Sequence, residues 1–252
     1  MDLKEKKIVF IDLDGTLINT KSGAKFPKGI WDMELNFKVL DQLKKMSPSA
    51  ILIVTNQGGL QLGIINEVLF QHKFLYVISC MQEYIVGNES FTYIAGKLCK
   101  DNNEACEHRK PNTGMLKDFL SEFSEKIFKE IDKKECIMIG DASGLKESFS
   151  DSDLKTAINF GIDYMDVHEF EKFKIEERTY NIYDKDFNIV LSDISEEEKK
   201  KFFEDKSEEE KGNFSYAPYR WIAPDIQKMR EIEEENKKAS NKNKKNNMKV
   251  VK

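Results

Sequence analysis

Two aspartates one residue apart, Asp12 and Asp14, directly follow the short apolar run 7–11 (KIVFI) and precede Gly15 and Thr16. An ionised carboxylate can attack phosphorus and form an acyl phosphate. A second carboxyl group two residues on can protonate the leaving oxygen and then activate a water molecule. Such a pair on its own could be a turn or a helix cap, but the preceding apolar run and the following Gly-Thr-Leu favour a catalytic loop at a strand end.

Polar residues follow two further apolar runs in the same way. Residues 50–54 (AILIV) lead into 55–59 (TNQGG), and residues 135–139 (ECIMI) lead into 140–141 (GD). In open parallel sheets, ligands bind beyond the carboxyl ends of the strands. We therefore expect the clusters at 12–16, 55–59 and 140–141 to meet in space.

The elements that would position these clusters alternate along the chain. The apolar runs 7–11, 50–54, 91–95 and 135–139 are typical of strands buried on both faces. Apolar residues between the runs recur at helical spacing, in the sets Leu35, Val39, Leu40 and Leu43; Val68, Leu69 and Leu75; and Met115, Phe119, Leu120 and Phe123. This alternation predicts an α/β fold with a three-layer, Rossmann-like parallel sheet.

Composition narrows the class of protein. The formal net charge of the 252 residues is −5, so no global basic field is available to hold a long polyanion, although a short nucleic-acid end could still bind. No apolar run is long enough for a transmembrane helix, and residues 1–7 lack the apolar stretch of a signal peptide. Four scattered cysteines without such a signal are typical of reduced thiols in an intracellular protein, in the nucleus or the cytoplasm.

The segment FIDLDGTLI resembles motif I of the haloacid dehalogenase superfamily, in which the first aspartate is the nucleophile and the second is the acid/base. ATPase members carry threonine at the second position, so Asp14 favours a phosphatase. Thr55, Lys110 and Asp141 match motifs II, III and IV, in order and at compatible spacing. The resemblance therefore implies an α/β fold of this superfamily and catalysis by Asp12, Asp14, Thr55 and Lys110.

The residue types fit phosphoryl transfer, in which negative charge spreads over three equatorial oxygens. Mg²⁺ and Lys110 would neutralise that charge, and Thr55 would donate its hydroxyl to a phosphate oxygen. The side chain of Asp12, the backbone carbonyl of Asp14 and the side chain of Asp141 are oxygen ligands of the kind that Mg²⁺ prefers. Taken alone, Thr55 would be a strand-end hydroxyl bonded to backbone, and Lys110 would be a solvated surface lysine.

A closer resemblance covers residues 6–173. The segments SG-x-x-FP, TNQGGLQLG, RKPNTGM, GDASG and FS-x-x-D are similar to those of the 3′-phosphatase domain of polynucleotide kinase 3′-phosphatases. The match implies removal of a 3′-phosphate from a DNA end, held through contacts with a few nucleotides. It also implies that Asp153 supports the metal shell, where the alternative is a helix N-cap before Leu154. The substrate-binding residues predicted are Thr16, Ser22, Phe26, Asn56, Gln57 and Arg109.

Two alternative functions stay open. The runner-up is a small-molecule phosphatase of the same superfamily, acting on a sugar or histidinol phosphate, against which SG-x-x-FP argues. Its related enzymes carry a zinc loop before RKP, where this chain has Cys106 and His108, with Cys99 as a third candidate ligand. A structural zinc site takes four ligands, so a surface loop with incidental thiols is the competing interpretation. The other alternative is a catalytically inactive scaffold that binds DNA or protein.

The chain is expected to divide into three segments. Residues 1–175 would form the phosphatase domain with a small or absent cap, because one helix and its connections use most of the chain between motifs I and II. Residues 176–238 would form a partly helical extension that docks on the core and offers a surface to repair proteins. Residues 239–252 carry five lysines and no acid, which predicts a disordered tail. We expect a monomer, and no G-x-x-x-x-G-K-[S/T] loop of a kinase is present in the sequence.

Overall fold

Five parallel strands form the central sheet. The structure, a computed structural model, describes residues 3–86, 92–146, 148–176 and 178–250, with side chains as far as residue 238. In spatial order the strands are β5 (Tyr93–Cys99), β4 (Ala50–Asn56), β1 (Ile8–Ile11), β6 (Cys136–Gly140) and β7 (Asp163–Asp166). All four neighbouring pairs are parallel, so the carboxyl ends of the strands lie at one edge of the sheet.

Helices cover both faces of this sheet. They are α1 (Phe37–Met46), α2 (Gly58–Gln61), α3 (Glu67–Met81), α4 (Gly114–Ile127), α5 (Ser152–Phe160) and α6 (Val167–Phe170). Within β1, Val9 and Ile11 pack in one apolar cluster with α1 and α3, whereas Ile8 and Phe10 pack in a second cluster with α4 and α5. Burial on both faces explains why the strands are continuous apolar runs. The predicted three-layer α/β fold is confirmed.

The apolar runs and most of the helical sets have the predicted place. All four runs form strands of the central sheet, although β5 begins at Tyr93 and residues 87–91 lie outside the described residues. The set on α4 is buried at Met115, Phe119 and Phe123. Leu35 differs from the prediction, because it lies in a strand that ends just before α1 begins.

The apolar set identified from the sequence on α3 is not the face of this helix that packs on the sheet. Val68, Leu69 and Leu75 are 58%, 49% and 60% exposed, whereas Phe70 and Phe74 are buried against the sheet. The helix carries two apolar stripes at helical spacing, and the stripe with the aromatic rings buries more apolar area. The sequence period alone does not distinguish two such stripes.

A short antiparallel pair of strands, β2 (Ile18–Thr20) and β3 (Met33–Leu35), lies between β1 and α1. We call residues 18–35 the flap. Asp32 holds its loop together, since its carboxylate accepts hydrogen bonds from the backbone N–H and the hydroxyl of Ser22, both at 2.8 Å. The prediction was a small or absent cap, and the flap is a short insertion at this position.

The C-terminal extension forms a second, antiparallel sheet, whose spatial order is β10 (Phe214–Pro218), β8 (Tyr180–Asp184) and β9 (Ile189–Ile194). Two helices, α7 (Glu196–Glu204) and α8 (Glu208–Lys211), lie between β9 and β10 in the chain. The residues that follow β10 contact the core. The Ser49 hydroxyl donates to the Arg220 carbonyl at 2.6 Å and accepts from the Ile222 N–H at 2.6 Å. The Arg220 guanidinium donates to the Met46 carbonyl at 2.8 Å. Residues 214–224 therefore lie against the core.

A single helix, α9 (Ile226–Val250), occupies most of the segment predicted to be a disordered tail. The Glu and Lys residues in the first half of this helix, 226–238, are strong helix formers, so local propensity favours a helix in that half. No helix in the described part of the chain is long and apolar enough to cross a membrane.

Candidate active site

Three neighbouring strands bring polar side chains to one edge of the sheet. Asp12 directly follows β1, Thr55 lies near the end of β4, and Asp141 directly follows β6. The loop after β1 passes so close to β6 that a Cβ on Gly15 would lie 2.4 Å from an Asp141 carboxylate oxygen. Gly15 also has a φ of +86°, which glycine adopts without strain. The three clusters meet as the parallel sheet requires.

Lys110 connects two of the acidic side chains. Its Nζ lies 2.5 Å from Asp12 Oδ1 and 2.7 Å from Asp153 Oδ1. Asn56 fixes the backbone of this lysine from both sides, because its Oδ1 accepts from the Lys110 N–H and its Nδ2 donates to the Lys110 carbonyl, both at 2.9 Å. Asn56, predicted to bind substrate, therefore holds Lys110 in place in this structure.

Asp12, Asp141 and Asp153 form a cluster in which one carboxylate oxygen of each lies within 4.8 Å of the others. Burial raises the pKa of Asp12; Lys110 opposes that rise, and Asp153 and Asp141 add to it. Burial and Asp153 raise the pKa of Asp141 to about 6. Burial alone would lower the pKa of Lys110, but Asp12 and Asp153 outweigh it and the pKa is raised. The charge of Lys110 is thus too small to balance the negative charge of the three carboxylates. Their oxygen atoms are hard donors, so the cluster fits a divalent cation such as Mg²⁺.

Asp141→Asn is expected to raise the melting temperature of the metal-free protein at pH 7.5. Folding raises the pKa of Asp141 from 3.8 to about 6, so keeping this carboxylate ionised costs stability above about pH 6. That cost shrinks as the pH falls from about 6 and is lost below about pH 3.8, where the group is protonated in both the folded and the unfolded state. We expect a gain of about 3 kcal/mol at pH 7.5 and a smaller gain at pH 5. Thermal unfolding in EDTA measures both, and equal gains at the two pH values would contradict the argument.

The Asp14 side chain is bonded to two side chains that do not belong to the acidic cluster. Its Oδ1 lies 3.0 Å from Lys73 Nζ, and its Oδ2 accepts a hydrogen bond from Gln57 Nε2 at 2.7 Å. The same Gln57 nitrogen lies 2.9 Å from Thr55 Oγ1, so it connects the two side chains. Gln57, predicted to bind substrate, is buried and holds Asp14 and Thr55 in place in this structure.

Lys73 contacts Asp14 but was not among the site residues predicted from the sequence. It comes from the buried face of α3, between Phe70 and Phe74, and it is itself buried. A lysine within an apolar helical stripe requires a partner, because a buried unpaired charge is costly. That signal was present in the sequence, but the apolar set identified there on α3 does not include the stripe on which Lys73 lies.

The other predicted substrate-binding residues differ in their burial and in their hydrogen-bond partners. Thr16 is fully buried, and its Oγ1 has no hydrogen-bond partner among the described residues. The Ser22 hydroxyl is bonded within the flap, and Arg109 donates to the Asp101 carbonyl at 2.8 Å. Phe26, in contrast, is 50% exposed at the tip of the flap.

Phe26 belongs to an exposed group that the prediction did not include in full. Its ring lies edge-on to Phe149, with 6.5 Å between centroids, and Lys25 Nζ lies 2.8 Å from the centre of the Phe149 ring. Phe149 lies in the loop between Asp141 and Asp153. The flap and the loop after β6 therefore present aromatic rings and a cation side by side.

The candidate zinc ligands are not gathered around one point. Cys99 Sγ and Cys106 Sγ are 3.6 Å apart, but the His108 ring bonds Asp118 on α4 at 2.8 Å. Within the described residues, the cluster of three or more potential metal ligands is the aspartate cluster alone. In this structure His108 therefore does not join the two cysteines, and Cys99 is buried at the end of β5.

The family described as polynucleotide kinase 3 phosphatase matches residues 7–171. The chain is similar to an uncharacterised 20.8 kDa protein of Autographa californica nuclear polyhedrosis virus, with 31% identity over 69% of this chain and 90% of that protein. It is also similar to a bifunctional polynucleotide phosphatase/kinase of Schizosaccharomyces pombe, with 31% identity over 66% of this chain, but it spans only 38% of that protein.

The name of a third relative gives a sugar phosphate as its substrate. It is D-glycero-beta-D-manno-heptose-1,7-bisphosphate 7-phosphatase of Haemophilus influenzae, with 31% identity over 54% of this chain and 71% of that protein. The family match is the broader one, because it runs from the first strand of the sheet to the helix after the last. Since that match covers well over half of its length, the chain belongs to the polynucleotide kinase 3 phosphatase family, within the haloacid dehalogenase-like phosphatases.

Proposed function

We propose that the protein is a Mg²⁺-dependent phosphatase that removes the 3′-phosphate from DNA ends through an aspartyl-phosphate intermediate on Asp12. The observation that carries this chemistry is the buried contact of Lys110 with both Asp12 and Asp153, beside Asp141. A cation placed there keeps the attacking carboxylate and a phosphate dianion from repelling each other. For stability alone, three clustered carboxylates around one lysine are a poor arrangement.

The two half reactions use neighbouring side chains. One Asp12 oxygen would bond to phosphorus while the ester bond to the leaving oxygen breaks, and Asp14 would give the leaving oxygen a proton. Water would then attack phosphorus and give a proton to Asp14, so that the bond to Asp12 breaks and inorganic phosphate leaves. Lys110 Nζ and Thr55 Oγ1 would hold the phosphate oxygens during both steps.

The residues fit a bound Mg²⁺. The side chains of Asp12 and Asp141 and the backbone carbonyl of Asp14 would hold it through oxygen, the donor type that the ion prefers. When bound, the ion supplies positive charge to the phosphate oxygens as charge develops on them. Asp153 would help to hold these ligands in position, because its own carboxylate is fixed by Lys110 and by the Ala142 N–H at 3.2 Å.

Several observations support a DNA 3′ end as the substrate. The family match and the phosphatase/kinase relative point to polynucleotides. The flap is small, which leaves room for a macromolecular end at the edge of the sheet. Phe26 on the flap and Phe149 on the loop after β6 are exposed and lie next to each other. Exposed aromatic rings of this kind stack on bases in single-stranded nucleic acid. A net charge of −5 implies few phosphate contacts and therefore a shallow dependence of binding on salt.

A sugar phosphate is the second candidate substrate. It is favoured by the similarity to the heptose-bisphosphate phosphatase, which extends over 71% of that protein. The paired thiols of Cys99 and Cys106 do not add to this candidate, since His108 does not join them.

The experiment that tests the proposal compares phosphate release from three substrates at equal concentration. They are an oligonucleotide with a 3′-phosphate, the same oligonucleotide with a 5′-phosphate, and a heptose 1,7-bisphosphate, each with Mg²⁺ and with EDTA. The two oligonucleotides are monoesters of similar intrinsic reactivity, so a preference must come from the direction in which the strand enters. We expect the 3′-phosphate to react at least about tenfold faster than the others and EDTA to abolish release. Equal rates on both ends, or a preference for the sugar, would reject the DNA substrate.

A further inference from the structure

The contact between Lys73 and Asp14 joins helix α3 to the catalytic loop, and the chemistry assigned above does not use it. Lys73 Nζ binds one Asp14 oxygen at 3.0 Å, and Gln57 Nε2 binds the other at 2.7 Å. The two side chains of the ion pair are only 7% and 8% exposed. A pair shielded in this way is screened little by salt, so it can hold a carboxylate in a defined orientation.

The position of Lys73 is costly unless its charge is used. On α3 it is flanked by Phe70, whose ring centre lies 5.0 Å from Nζ, and by Phe74. An apolar residue would fit this stripe of the helix with no loss of charge hydration. The lysine therefore indicates a requirement at Asp14 rather than at the core.

We infer that Lys73 is a positioning residue that orients the Asp14 carboxylate for the attack of water on the aspartyl phosphate. This inference rests on the proposed function. A carboxylate oxygen has two lone pairs, so Lys73 and Gln57 fix the plane of the group and still leave each oxygen able to accept a proton. In this step the water oxygen bonds to phosphorus, Asp14 takes the proton, and the bond from phosphorus to Asp12 breaks. The proton then serves the next leaving group, which closes the cycle.

The two half reactions can be separated with p-nitrophenyl phosphate, because p-nitrophenolate leaves without a proton. Lys73→Met keeps an unbranched side chain that is one atom shorter and removes its charge. We expect a burst of about one p-nitrophenol for each active site, followed by a steady state at least about tenfold slower than that of the unmodified protein. Acid quenching should then trap phosphoenzyme. With a 3′-phosphorylated oligonucleotide, whose alkoxide needs a proton, the first turnover should slow as well.

Two variants serve as controls. Lys73→Arg retains a cation beside Asp14 and should recover a large part of the steady-state rate. Lys97→Met removes a surface ion pair with Glu122, at 2.6 Å in the folded protein, and should change neither the burst nor the steady state. Thermal unfolding of each variant establishes that it is folded.

The outcomes distinguish this inference from the proposed function. If Asp12→Asn still turns over, the aspartyl-phosphate mechanism fails. If Asp12→Asn is inactive while folded Lys73→Met shows no burst, or turns over as fast as the unmodified protein, the positioning role of Lys73 is wrong and the mechanism stands. With p-nitrophenyl phosphate, a merely structural role would lower the first turnover and the steady state together, and Lys73→Arg would not restore them.

Discussion

Asp12→Asn is expected to lower the turnover of every phosphate monoester by at least about 1,000-fold and to leave the protein folded. An amide cannot form the acyl phosphate on which the proposed reaction depends. The substitution preserves the shape of the side chain, and Lys110 keeps its 2.7 Å contact with Asp153. Phosphate release and thermal unfolding, measured on the same preparation, test both parts of the expectation.

The stability of this variant has a predictable sign. Burial raises the pKa of Asp12 although Lys110 opposes that rise, so the ionised carboxylate costs stability. In EDTA, the melting temperature of Asp12→Asn should therefore be no lower than that of the unmodified protein. Asp186→Asn is a suitable control, because Asp186 is a surface carboxylate paired with Arg230 in the extension. It should leave turnover unchanged. Comparable turnover by folded Asp12→Asn would reject Asp12 as the nucleophile.

The sequence was sufficient to predict the sheet and the group of side chains at its edge. Buried parallel strands must be apolar on both faces, so each of them is visible as a short apolar run. The residue after such a run lies at the carboxyl edge, and the topology brings Asp12, Thr55 and Asp141 together without further information. Asp153 required the motif resemblance, because nothing local distinguishes a buried acid in the first turn of a helix from a cap.

Other parts of the site depend on contacts that a linear pattern does not contain. Helix α3 has two apolar stripes, and the folded structure shows that the stripe with Lys73 is buried and that Lys73 is the partner of Asp14. Ser22 and Gln57 were predicted to touch substrate, but their polar atoms are bonded to Asp32 and to Asp14. Short-range spacing fixes which residues lie near the site, and tertiary packing decides which of them are already paired.

Lys110→Met is expected to damage both activity and stability. Asp12 and Asp153 both lose the ammonium group that they share, and both are buried. Removing one partner of a buried ion pair costs about 3–5 kcal/mol, because the remaining charges are left without compensation. Activity should fall by at least about 100-fold, since no cation then holds the phosphate beside Asp12. Urea unfolding in EDTA measures the first effect, and phosphate release with Mg²⁺ measures the second.

Adding Asp153→Asn to Lys110→Met should separate these two effects. The second substitution neutralises one of the stranded carboxylates, and the amide oxygen can still accept the hydrogen bond that Asp153 receives from the Ala142 N–H at 3.2 Å. We expect the double variant to be more stable than Lys110→Met alone, which a double-mutant cycle in EDTA would show as a coupling energy between the two positions. Activity should stay as low as in Lys110→Met, because the phosphate site still lacks its cation. A double variant no more stable than Lys110→Met would mean that Lys110 is not what compensates the buried acids. Recovered activity would mean that Lys110 acts only by neutralising Asp153 and does not hold the phosphate.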